Sequence, residues 1–191
     1  CDMFKDTIDI NEQDNYGCTA LLFALSNERI FLYLCETFKD TININIQDCD
    51  GFTALMFAVQ ERNEKILLYL CNTFKDTIDI NIQNNAGYTA LIIAVQRKIN
   101  EKMILYMCNI FKDSIDINKQ STYGSINLLT TAARYDMSKK VMQYLCDTFK
   151  DTIDINIQDN EGKTAFMLAA QYNTNAEVIQ YLYNTFKDII D

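Results

Sequence analysis

The chain has 191 residues, 49% hydrophobic and 23% charged, a size and balance that fit one globular domain and argue against a disordered segment. A formal charge of −9 with no basic stripe argues against nucleic acid as a partner, and no apolar run reaches the roughly 18 residues needed to span a bilayer, so the chain is expected to be soluble. No histidine occurs, which removes Ser-His and Cys-His catalysis and the commonest metal ligand.

In chain order, the opening CDMFKD reads as the tail of a second helix whose beginning is missing. In residues 11–44, Gly17 marks a tight turn, Thr19 is placed to cap a helix over TALLFAL, and ERIFLYLCETF supplies a second helix. Residues 45–80 repeat the plan. After Gly51 and Thr53, Ala54, Leu55, Ala58 and Val59 share one helix face, and in NEKILLYLCNTF the stripe Ile66, Leu67, Leu70 and Phe74 is wide enough to need burial on two neighbours. Behind it TIDINIQ alternates Ile78, Ile80 and Ile82 with polar residues, which predicts an extended arm. Residues 81–117 follow with Gly87 and Thr89. Residues 118–155 are irregular, because GSINLLTTAA carries one inserted residue and Asn127 takes the capping place of Thr. Residues 156–191 bring Gly162 and Thr164 and close on NTFKDIID.

The units share a period. Phe-Lys-Asp recurs at 4, 38, 74, 111, 149 and 186, and TFKDTIDINIQ stands at both 73–83 and 148–158, with TFKDTININIQ at 37–47. All five glycines fall six residues after an Asn (Asn11, Asn45, Asn81, Asn118, Asn156). Such a period marks a solenoid, in which a unit's apolar face is covered only by a copy of itself, so residues at the join must recur. Neither end carries a polar capping unit, so the chain is expected to be a piece of a longer array.

Cys1, Cys35, Cys71, Cys108 and Cys146 each precede Phe-Lys-Asp by three residues. Equivalent residues on stacked helices about 8–10 Å apart exceed disulfide reach, so these read as buried thiols of a reducing, cytoplasmic setting, with Cys18 and Cys49 outside the pattern. No Cys-x-x-Cys offers a zinc site. QDCDG at 47–51 fails as a calcium loop, since Ile46 and Phe57 stand where acids are required, and the isolated glycines exclude a phosphate loop. No cofactor, metal or catalytic constellation is expected, the carboxylates at the repeat period reading as a solvated face.

TALLFA at 19–24, TALMFA at 53–58, TALIIA at 89–94 and TAFMLA at 164–169, with the Asn before each arm and the Gly of each turn, resemble ankyrin repeats along the whole chain. The resemblance implies an all-α solenoid of helix-turn-helix units joined by extended arms and β-hairpin-like turns. It forms one domain over 1–191, with the truncated tail at 1–10 and successive repeats at 11–44, 45–80, 81–117, 118–155 and 156–191. There are departures. Ala replaces the family's Pro, and Leu22, Met56, Ile92 and Met167 replace its His, so the family's His-mediated hydrogen bonds are absent. Phe-Lys-Asp-Thr-Ile stands where the family has Gly-Ala, with Phe38, Phe74, Phe111 and Phe149 expected to seal the gap between units.

The family binds proteins through its turn tips and the exposed end of the first helix. Carried over, the tips give Tyr16, Asp50, Phe52, Tyr88, Tyr123 and Lys163. The helix ends give Gln60, Glu61, Gln96, Arg97, Arg134, Tyr135 and Tyr172, with Ser26 and Asn27 in the first unit. These positions differ among copies while packing positions nearly repeat, and they are rich in the aromatics and Arg that dominate binding hot spots. The expectation is a non-enzymatic interaction module for a protein partner, with no nucleic acid, membrane or metal. Three other readings stay open: a structural spacer or self-associating array using the near-identical phrases, a targeting arm of a catalytic domain elsewhere, and tip aromatics that merely pack on the adjacent finger.

Overall fold

A computed structural model describes residues 8–189. Cys1 and the expected helix tail CDMFKD lie outside the described residues. The described residues hold ten helices and no strand. They form five successive pairs: α1 (Ala20–Ala24) with α2 (Glu28–Thr37), α3 (Ala54–Gln60) with α4 (Glu64–Thr73), α5 (Ala90–Gln96) with α6 (Glu101–Ile110), α7 (Leu128–Arg134) with α8 (Lys139–Thr148), and α9 (Ala165–Tyr172) with α10 (Ala176–Phe186). First helices pack on first helices, α3 on α5, α5 on α7 and α7 on α9, while α4, α6, α8 and α10 pack in a second layer.

Each first helix starts where a side chain satisfies an otherwise unpaired amide. Thr19, Thr53, Thr89 and Thr164 accept from the amide three residues on, and Asn127 does so for α7 in a reciprocal box with Thr130. Burial of these helices is wider than one stripe: in α3, Met56 is buried along with Ala54, Leu55, Ala58 and Val59. That is the consequence of being sandwiched between two first helices and a second helix. Ile66, Leu67, Leu70 and Phe74 are all buried, and Phe38, Phe111 and Phe149 close the second helices beside them in the core. Cys35, Cys71, Cys108 and Cys146 are fully buried and free, and burial pushes each thiol up to about 12. They therefore pack as small apolar groups.

The arms depart from the expected simple extension. Ile78 and Ile80 are buried between exposed Thr77 and Asp79, as the alternation predicts, but no strand pairing forms and the backbone turns at Asp79–Ile82. Side chains hold the arms together instead. Asn81 Nδ2 donates to the Ser114 carbonyl at 2.6 Å while its Oδ1 accepts from the Asp116 amide at 2.8 Å, reaching across to the next unit. Asn11, Asn45 and Asn118 make the same two bonds, and Asn156 Nδ2 reaches the Ile189 carbonyl at 2.6 Å. A second ladder runs through glutamines, with Gln47 Nε2 donating to the Gly51 carbonyl of its own turn and to the Gln83 carbonyl of the next. Asp79, Asp116 and Asp154 each accept the amide of the Asn two residues on, so the carboxylates of this phrase do more than solvate a face. The repeated eleven letters are thus the joint between neighbouring units.

Candidate functional site

The turn tips owe their shape to one side chain each. Asp48 Oδ1 accepts from the amides of Asp50 at 3.0 Å and Phe52 at 2.7 Å, and the Gly51 amide donates to the Asp48 carbonyl at 2.9 Å. Asn84 and Asp159 do the same work for the tips carrying Tyr88 and Lys163, and Ser121 holds the tip of Tyr123 through its hydroxyl. Neighbouring tips then bond in series, the Asn85 amide donating to the Asp50 carbonyl at 3.0 Å and the Asn160 amide to Gly124 at 3.0 Å. The approach is close. At Gly87, with φ at 79°, an added Cβ would lie 2.0 Å from the Thr122 amide nitrogen, so only Gly lets the third tip meet the fourth.

Beside this row of tips lie two adjoining concavities. The larger, about 450 Å³, is walled by Phe52, Tyr88 and Ala86 from the tips and by Gln60, Gln96 and Arg97 from the ends of α3 and α5, with Tyr135 from beyond α7. The second, about 200 Å³, shares Tyr88, Gln96 and Tyr135 and adds Tyr123, Arg134 and Glu161. Sequence positions up to 83 residues apart, from Phe52 to Tyr135, thereby meet on one surface.

Not every candidate joins them. Tyr16 stands 70% exposed on the first tip and Asp50 is exposed on the second, and neither lines either concavity. Glu61 lines a third, more apolar concavity with Leu22, Phe23, Leu25 and Phe57. Of the first unit's helix-end positions, Asn27 has a different task, because α1 is only five residues long and Asn27 already caps α2 by accepting from the Ile30 amide. Phe52 packs on Phe57 of its own unit, ring centroids 5.2 Å apart.

Lys163, Tyr172 and Arg134 belong to an ion cluster. Arg134 Nη2 lies 2.6 Å from Asp159 Oδ2 and 3.7 Å from Glu161 Oε1, Lys163 Nζ lies 2.7 Å from Glu161 Oε2, and the guanidinium sits 5.7 Å from the Tyr172 ring centroid. Burial works to raise the pKa of Asp159, but the Lys163 and Glu161 amides and the Arg134 guanidinium outweigh it and hold the carboxyl below the usual range. Sequence reasoning missed Asp159 and Glu161 as partners of Arg134. The only hint was Asp or Asn recurring three residues before each glycine, and Ser121 breaks even that pattern.

Among the described residues no group of His, Cys, Asp and Glu could hold a metal ion, and no helix is long and apolar enough to cross a membrane. The arrangement offers amides, phenols and guanidinium groups around apolar floors, the equipment of recognition.

Comparison with known proteins follows the same line. The family model described as ankyrin repeats (3 copies) matches residues 1–84, 42–121 and 107–191. Comparison with curated proteins by sequence gives no match. Among solved structures, the crystal structure of EF0377, an ankyrin repeat protein, superposes with a TM-score of 0.67 at 23% identity over 93% of this chain and 85% of that one. A chain from the structure of the Bd0816 predatory endopeptidase from Bdellovibrio bacteriovorus in complex with immunity protein Bd3460 gives 0.67 at 26% identity, over 94% of this chain and 87% of that one. Ankyrin repeats are protein-interaction modules. With the family match spanning its length and its helix pairs stacked in two layers, the chain belongs to the ankyrin-repeat family.

Proposed function

We propose that the chain is a non-catalytic interaction module of a reducing, cytoplasmic setting, its units at 11–44, 45–80, 81–117, 118–155 and 156–191 acting as one scaffold. It docks a protein partner through the tips and helix ends around Phe52, Tyr88, Gln96, Arg97, Tyr123 and Tyr135. The observation that carries this reading is that the two adjoining concavities are walled mostly by positions that differ from unit to unit, Gln60 and Gln96 excepted, whereas the joints are nearly identical. The similarity to a chain from a two-protein complex supports partner binding. The reading as a self-associating array draws on the repeated phrases, whose Asn and Gln side chains are already bonded within the chain.

A partner isolated by affinity capture from the source cell supplies the test. Replacing Phe52 and Tyr88 together by Ala should abolish capture while the chain, less stable because both rings are half-buried, stays folded by circular dichroism. Capture that survives both substitutions would contradict this surface.

A further inference from the structure

The groove has two chemically different ends. Between the first and second units, the third concavity encloses about 370 Å³ with apolar walls from Leu22, Phe23, Leu25 and Phe57, and Phe23 is 62% exposed. Phe57 packs on Phe52, so a wall of this concavity touches a wall of the larger one. There Arg97 is the single charged lining residue, and it makes no ion pair among the described residues. Arg134, by contrast, is neutralised by Asp159 and Glu161. Along the same edge Glu61 stands against Arg62, Arg97 and Lys98, with Arg62 Nη2 bonded to the Arg97 carbonyl. These helix ends therefore carry more bases than acids, with Asp48 and Asp50 standing on the second tip, on a chain of net charge −9. Screening over about 8 Å at physiological salt lets the local sign decide what binds there.

We propose that this groove takes an extended acidic segment of a partner protein, seating a bulky apolar side chain between Phe23 and Phe57 and a carboxylate on Arg97. The inference rests on the interaction-module reading and adds the chemistry of the ligand. Helix pairs stack at roughly 10 Å, so the Phe23–Phe57 concavity and Arg97 lie about one and a half steps, or roughly 15 Å, apart. An extended chain advances about 3.3 Å per residue, which places the carboxylate roughly four to five residues from the apolar anchor. Guanidinium suits that role because its planar fork matches a carboxylate with two parallel donors.

Panning a random 12-residue peptide library, displayed on phage, against the intact chain tests the proposal. Enriched peptides should pair a bulky apolar residue with Asp or Glu at that spacing. A soluble peptide from the selection should bind Arg97→Glu about tenfold or more weakly. Panning on Arg97→Glu should replace the acid by Lys or Arg. Arg97 is exposed, so the variant keeps its fold, which circular dichroism confirms independently. Peptides without the acidic residue, or binding Arg97→Glu equally well, yet lost on Phe52→Ala/Tyr88→Ala, would overturn the charge assignment and leave the interaction surface standing. Peptides indifferent to those two substitutions, or no enrichment, would overturn both.

Discussion

Asn81 spans two units with one amide side chain, and its value lies in pairing the Ser114 carbonyl and the Asp116 amide at the joint. Asn81→Ala removes both bonds and should lower stability by about 1–2 kcal/mol in urea denaturation. Asn81→Asp keeps the acceptor for the Asp116 amide but sets a carboxylate oxygen against the Ser114 carbonyl, and should not recover the loss. Equal stability of all three proteins would remove the ladder from the account of the fold. Asp159 offers a second residue-scale test. Because its folded pKa is depressed, its contribution is present above the unfolded pKa, about 3.9, and is lost as pH falls through the lower folded value. Asp159→Asn preserves the turn, since Asn84 holds the equivalent tip with the same amide bonds, and removes the charge facing Arg134. The stability gap between parent and variant should close below roughly pH 4; a gap unchanged down to pH 2 would show that the carboxylate charge is not what matters. Neither role was legible in the sequence, because a polar side chain's partner 25 to 35 residues away is set by the register of stacked units, which composition does not reveal. Asn81 stood out in the sequence only as a marker of the repeat, and Asp79 read as one of the carboxylates of a solvated face.

The elements themselves were largely legible. Gly at each corner, Thr or Asn at each first-helix start and the Ile66, Leu67, Leu70 and Phe74 stripe are local signals, and all appear where periodicity puts them. The arms were half legible: alternation foretold the burial of Ile78 and Ile80, but Ile82 is only half-buried and the extended arm gave way to a turn held by side-chain ladders once Asn and Gln could bridge units. The ends of the first helices hold a cost no local pattern announced. Lys98 ends α5 at φ 49°, with its amide bonded to the Val95 carbonyl and the Ile99 amide to Ala94, and Arg62 and Asp136 take the same left-handed place at 54° and 57°. A side chain there is strained, and Gly is the usual solution. Lys98→Gly should therefore raise the stability of the chain by about 1 kcal/mol, read as a higher urea midpoint. A lower midpoint would mean the backbone is not held in that region.

At the scale of the molecule, hydrophobic burial and the polar ladders serve one end, a row of units whose joints are alike and whose tips are free to differ. Tip variation was visible in the sequence; the meeting of Phe52 with Tyr135 in one concavity was not, since it depends on how the first-helix ends line up beside the tips. Hydrogen–deuterium exchange on the chain with and without its captured partner tests this division of labour directly. Protection should appear at residues 50–52, 60–61, 86–88, 96–97, 123–124 and 134–135. Protection confined to the repeated segments 37–47, 73–83 and 148–158 would contradict it, placing the partner on the joints instead.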